Sequence, residues 1–248
     1  MSTDGERQGF EMMDCPIVLL ACRPYYWMLQ PFAFLFNIYW CERQPVDVFG
    51  YEPLPFSLPD NFRFHSIARK TWPVSRWSDS LIEVCERMDH SDHFILFLED
   101  YWLNGCVNVS TVTKMLDYAR EDPTILRVDL TAERVSKKSA RKVDEVDGIG
   151  IISAGFKARY DISFQSNVWN RRNLMNIMVP GETPWQAEMN GTERVWERDD
   201  LKVLGTDSPS VVYKPVYRNH KRSLNLESIP TELLKVMKQR GYFDGIKV

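Results

Sequence analysis

The sequence predicts an α/β fold built on a mainly parallel, mixed sheet flanked by helices, on three observations. Phe94-Ile-Leu-Phe-Leu98 is an unbroken apolar run of strand length, as a strand buried on both faces requires. Before it, Trp77, Leu81, Val84, Cys85 and Met88 fall on one helical face; after it, Val112, Met115, Leu116 and Ala119 do the same. Short apolar runs and amphipathic segments alternate along the rest of the chain, the pattern of strands joined by crossover helices.

The elements follow in order. Residues 17–21 (IVLLA) read as a buried strand, Arg23-Pro24 as a turn, and 25–40 as a helix buried on most sides. The whole apolar stretch 16–40 is long enough for a membrane span, but Arg23, Pro24, Gln30, Pro31 and Asn37 interrupt it. Residues 46–49 and 62–67 read as strands around a Pro-rich loop. A helix over 77–88 takes Ser75 or Ser78 as its cap. Another helix covers 111–120, and 124–130 alternates as a half-buried strand. The charged segment 133–147 reads as an exposed loop, 160–165 as a strand and 171–178 as a short helix. Thr183-Pro184-Trp185-Gln186 opens a helix with a capping box. Residues 211–217, with Pro215, suit an edge strand, and 231–240 form a terminal helix closed by Gly241.

No repeat or linker divides these elements, so one domain is expected over 15–248, after a flexible segment 1–14. The chain has 31 basic and 34 acidic residues, so only a local patch can attract nucleic acid or anionic lipid. Five cysteines without a CxxC argue against a disulfide framework or structural zinc and for a reducing, cytoplasmic setting. The polar, acidic start is not a signal peptide.

Ligands of open α/β sheets bind beyond the carboxyl ends of the strands, which selects candidate positions. Glu99-Asp100 follows the FILFL strand directly, and adjacent carboxylates there suit Mg²⁺ or Mn²⁺ shared with substrate phosphates. Arg23, at the end of the first strand, offers a guanidinium to a phosphate or base. Glu188 sits one turn into the capped helix beside Trp185, where an aromatic wall can raise its pKa for general-base work. His90-Ser-Asp-His93 has helical ligand spacing but no matching third partner, so it reads as a polar loop. Lys137, Lys138, Arg141 and Lys142, and the run 218–222 with Arg222, are basic enough to contact phosphates, although each alone reads as a solvated loop.

Taken together, IVLLACRPYYW (17–27), SRWSDSL (75–81), FILFLEDYWL (94–103) and the block 163–195 resemble a nucleotide-sugar glycosyltransferase of the GT-A fold, a Rossmann-like architecture. The likeness covers roughly residues 15–200 and is nearest to small bacterial and phage-type enzymes. It implies a nucleotide-sugar half over about 15–130 and an acceptor half over about 131–248. The resemblance makes Glu99-Asp100 the element holding metal and sugar diphosphate, with the Trp77-Ser78-x-x-Leu81 helix beneath the donor. It makes Gln165, Trp169, Trp185 and Glu188 the acceptor side, with the acid as base in an inverting reaction. One departure stands out: Leu-Glu-Asp-Tyr lacks the second Asp of a full DxD element.

The expected function is therefore glycosyl transfer from a nucleotide sugar, such as UDP-glucose, to a hydroxyl, with Mn²⁺ or Mg²⁺ as cofactor. The basic loops lean the acceptor toward duplex DNA carrying hydroxymethylated pyrimidines, in the host cytoplasm if the chain is phage-encoded. The other acceptor is a surface polysaccharide or lipid-linked glycan. A reading of another class is a non-catalytic nucleotide- or nucleic-acid-binding module in which the acid pair is structural.

Overall fold

A computed structural model describes residues 12–134, 137, 139–155, 157–218 and 223–244. Its centre is a nine-stranded sheet. In chain order the strands of that sheet are β1 (Ile17–Leu20), β2 (Val46–Gly50), β3 (Phe62–Ser66) and β4 (His93–Leu98). A short strand outside it, β5 (Tyr101–Leu103), comes next, and the sheet continues with β6 (Ile125–Asp129), β7 (Arg141–Val146), β8 (Ile149–Ser153), β9 (Asn167–Asn170) and β10 (Lys202–Thr206). The spatial order is β3-β2-β1-β4-β9-β6-β10-β8-β7. Only β9 and β8 run against the other strands, so the sheet is mixed with a dominant direction.

Alternation along the central strands divides the core between two faces. Ile17, Leu19, Ile95 and Phe97 point to one face, where α1 (Leu29–Phe36), α3 (Val109–Glu121) and the terminal α6 (Thr231–Gln239) pack. Val18, Leu20, Phe94 and Leu96 point to the other, covered by α2 (Trp77–Arg87), α4 (Arg171–Ile177) and α5 (Pro184–Trp196). Most of the aromatic surplus is core: Phe32, Phe36, Trp40, Phe62 and Phe97 form one contiguous set of ring contacts.

The stretch 16–40 folds back on itself as β1, a 3-10 segment Arg23–Met28, α1 and a π-helical turn Asn37–Cys41. No helix among the described residues is long and apolar enough to cross a membrane. The α5 start has both hydrogen bonds of the capping box between Thr183 and Gln186, and Gly241 ends α6 at φ +73°.

Several expectations need correction. Neither Ser75 nor Ser78 caps α2; Ser78 Oγ instead accepts the Glu182 N–H at 2.9 Å, tying α2 to the loop before α5. β6 is buried throughout rather than on one face, because both sheet faces are covered there: Ile125 and Val128 join the core under α3, and Leu126 joins the core under α4. The charged segment 133–147 is not all loop: 141–146 form β7, an edge strand whose charges face water, a common protection of sheet edges. Residues 160–165 are not a strand. Tyr160 takes φ +59°, and the ladder forms downstream at β9. The late strand β11 (Tyr213–Pro215) pairs with β5, outside the main sheet.

A cavity at the carboxyl ends of the central strands

β1, β2 and β4 end at the rim of a cavity of about 470 Å³. Cys22, Tyr51 and Leu98-Glu99-Asp100 supply its strand-end wall. Trp72, Pro73, Val74 and Trp77 come from the entry to α2; Phe164, Pro184, Trp185 and Glu188 close the other side. Tyr25 and Tyr217 also line it, their rings tilted against one another with centroids 5.7 Å apart. A larger, open depression of about 680 Å³ lies at the opposite end of the sheet, between Cys15, Gln44, His93 and Arg120. The carboxyl-end cavity is the candidate site, because parallel strands direct ligands there and because the perturbed carboxyls line it.

Glu99 leaves β4 with its carboxylate turned back toward β1, where Oε1 accepts the Cys22 N–H at 3.0 Å. Its side chain is buried, and burial followed by the neighbouring Asp100 charge pushes its carboxyl above the usual range. Burial likewise raises Asp100. Two desolvated acids side by side repel each other until a cation or proton joins them.

That chemistry fits a divalent ion only in one mode. Among the described residues no three His, Cys, Asp or Glu side chains converge on a point, so an all-protein cage is excluded there. Mg²⁺ is commonly held by one or two carboxylates together with substrate phosphates and water, and Glu99 with Asp100 matches that donor set. His90 and His93 lie at the amino ends of the strands, away from this cavity.

Glu188 faces the cavity from the second turn of α5. Its carboxyl is raised from 4.5 to about 7, first by burial; the Phe164 N–H, donating at 2.9 Å, opposes the shift. Glu133 raises it further, and the buried Arg127 lowers it. Arg127 is itself fixed by Asp161 and Tyr160 carbonyls and by Asn167 Oδ1. Phe164, whose ring packs on Trp77 at 4.7 Å, thus holds the acid while its own ring walls the cavity.

The sequence-selected residues divide clearly. Glu99, Asp100, Trp185 and Glu188 meet in one cavity, although 99 and 188 are far apart in the chain. Arg23 does not join them: it sits in the 3-10 segment, largely exposed, 3.5 Å from Glu52. Gln165 lines a separate cavity of about 300 Å³ with Thr131, Glu133 and Lys214, its Oε1 accepting the Tyr213 hydroxyl at 2.8 Å. Trp169 is corrected from a stacking surface to a core residue. It is fully buried on β9, stacked on Phe164 with the Arg127 guanidinium 5.7 Å from its ring, so no ligand reaches either face.

Of the basic residues, Lys137 lies 3.4 Å from Glu133, and Arg141 and Lys142 project from edge strand β7, with Lys142 paired to Glu145. None lines the cavity. Lys138 and Arg222 lie outside the described residues. Tyr51 and Trp72 are cavity residues that reading the sequence did not select. Tyr51 directly follows β2, so the strand-end rule that found Glu99 would have found it too.

No family model matches the chain, and no curated protein is significantly similar to it.

Proposed function

We propose that this chain is a glycosyltransferase that moves a sugar from a nucleotide-sugar donor to an acceptor hydroxyl. The observation that supports it best is the facing of two acidic features across one cavity: the desolvated Glu99-Asp100 pair and Glu188. A divalent cation held by Asp100 and Glu99 would supply positive charge to the departing diphosphate. Glu188 takes the proton of the acceptor hydroxyl, and its raised pKa suits a base working near neutral pH. The Phe164 N–H fixes the carboxylate that does so. Trp72, Tyr25 and Trp185 offer ring faces to a nucleobase or sugar.

For the acceptor we favour a glycan over duplex DNA. The cavity mouth carries aromatic and aliphatic side chains, while Arg141 and Lys142 sit on β7, five strands from β4 and roughly 24 Å away at the usual strand spacing. A panel of nucleotide sugars, with and without Mn²⁺, tests the donor assignment by thermal shift and by release of nucleoside diphosphate. One donor is expected to raise the melting temperature and to be slowly hydrolysed without acceptor. Binding with no nucleotide release would instead identify a non-catalytic binding module, and no shift with any donor would defeat the proposal.

A further inference from the structure

Large apolar side chains exposed to water are few in the described chain, and four of the nine gather on one face. They are Val74 (59% exposed), Val179 (42%), Trp185 (64%) and Met189 (37%). Two loops bring them together. The Asp79 carboxylate accepts Arg76 through Oδ1 and the Gly181 N–H through Oδ2 at 2.8 Å, fastening the loop before α5 to the entry of α2. Val74 and Trp185 line the same cavity, and Met189 follows Trp185 by four residues on the same side of α5.

Cations border this apolar set. Arg69 and Lys70 are exposed at the start of the loop that carries Trp72 and Val74, and neither is held in an ion pair among the described residues. The Arg76 guanidinium lies 4.4 Å over the Trp72 ring. The acids that border it are paired: Asp79 with Arg76, Glu52 with Arg23, and Glu182 with Arg194. The face is therefore aliphatic and aromatic at its centre and net positive at its edge.

We propose that this face docks on an anionic lipid surface, with the cavity mouth opening toward the bilayer. Trp185 and Trp72 have the amphipathic rings that settle at a headgroup boundary. Val74, Val179 and Met189 enter the acyl region, while Arg69 and Lys70 meet lipid phosphates. Nucleic acid is the poorer match, because aliphatic side chains provide no stacking platform for bases. The docking face rests on surface chemistry and not on the transfer reaction. Val179 and Met189 lie outside the cavity wall, so vesicle binding and nucleotide-sugar turnover can fail separately.

The test is co-sedimentation of the full chain with phosphatidylcholine vesicles, with and without about one third phosphatidylglycerol. Binding is expected on the anionic vesicles and should weaken with salt. Val179→Ser with Met189→Ser should cut partitioning roughly fivefold, and Arg69→Ser with Lys70→Ser should remove the preference for anionic lipid. Unchanged melting temperatures would establish that the variants are folded. Absence of binding to either vesicle overturns the proposal, as does binding that both double variants retain. Selective binding to a single-stranded oligonucleotide, lost in the same variants, would reassign the face to nucleic acid.

Discussion

The backbone N–H of Cys22 donates to Glu99 Oε1 at 3.0 Å, joining the ends of β1 and β4 at the cavity wall. Glu99 therefore has a structural partner, whereas Asp100 has its carboxylate available to the cavity. Asp100→Ala should keep the fold and lose most of the Mn²⁺-dependent thermal shift given by a nucleotide sugar. Glu99→Gln keeps an acceptor for Cys22 and should weaken donor binding about tenfold, or ~1.4 kcal/mol. Chelation with EDTA should reproduce the Asp100→Ala result in the unaltered protein. Titration calorimetry of donor binding measures all three.

Glu188 gives a pH signature with a definite sign. Its carboxyl titrates near 7 in the folded chain against an ordinary 4.5, so between these values the folded state binds the extra proton. Its contribution to stability is then complete below about pH 4.5 and declines as pH rises toward 7. Glu188→Gln removes that penalty and should raise the melting temperature by a few degrees at pH 8, on the order of 2–4 °C per kcal/mol. The same substitution should abolish transfer, and transfer by the unaltered chain should rise with pH through an apparent pKa near 7.

The two tryptophans of the acceptor-side block should behave oppositely. Trp169→Ala empties a fully buried position and should cost about 3–5 kcal/mol of stability in urea unfolding. Trp185→Ala touches a largely exposed ring and should change stability by less than about 0.5 kcal/mol while weakening ligand binding at the cavity.

Gly205 of β10 lies where a Cβ would come within 2.7 Å of Arg134 Cβ and 3.2 Å of Asp129 Cβ. Arg134 cannot move aside, since its buried guanidinium is paired to Asp161 at 2.5 Å. Gly205→Ala should therefore cost about 1–3 kcal/mol in denaturant unfolding.

Strong local signals were legible in the sequence. The FILFL run marks β4, the helical spacing marks α2 and α3, and the Thr183–Gln186 box marks the start of α5. The strand-end rule led to Glu99 and Asp100, and the capped helix led to Glu188. What escaped depends on distant packing. β8 and β10 lack a run long enough to announce a strand, and β7 is charged along its length because it is an edge. Trp169 looks like Trp185 in sequence, and only the packing of Phe164 and Arg127 against it decides that its ring is covered. Arg23 follows a strand end, yet the 3-10 segment turns its side chain toward Glu52.

The reversed direction of β9 has a consequence for how the chain acquires its site. β9 is the strand that pairs with both β4 and β6, so those two strands have no common partner until residues 167–170 arrive. During synthesis from the amino terminus, β4 emerges with one long apolar edge open, a template for pairing with another chain. The closure that protects this edge also delivers Phe164, and with it the amide that anchors Glu188. Insertion of one short strand thus closes the free edge of β4 and sets the anchor for Glu188, while α5 and Tyr217, later in the chain, complete the cavity.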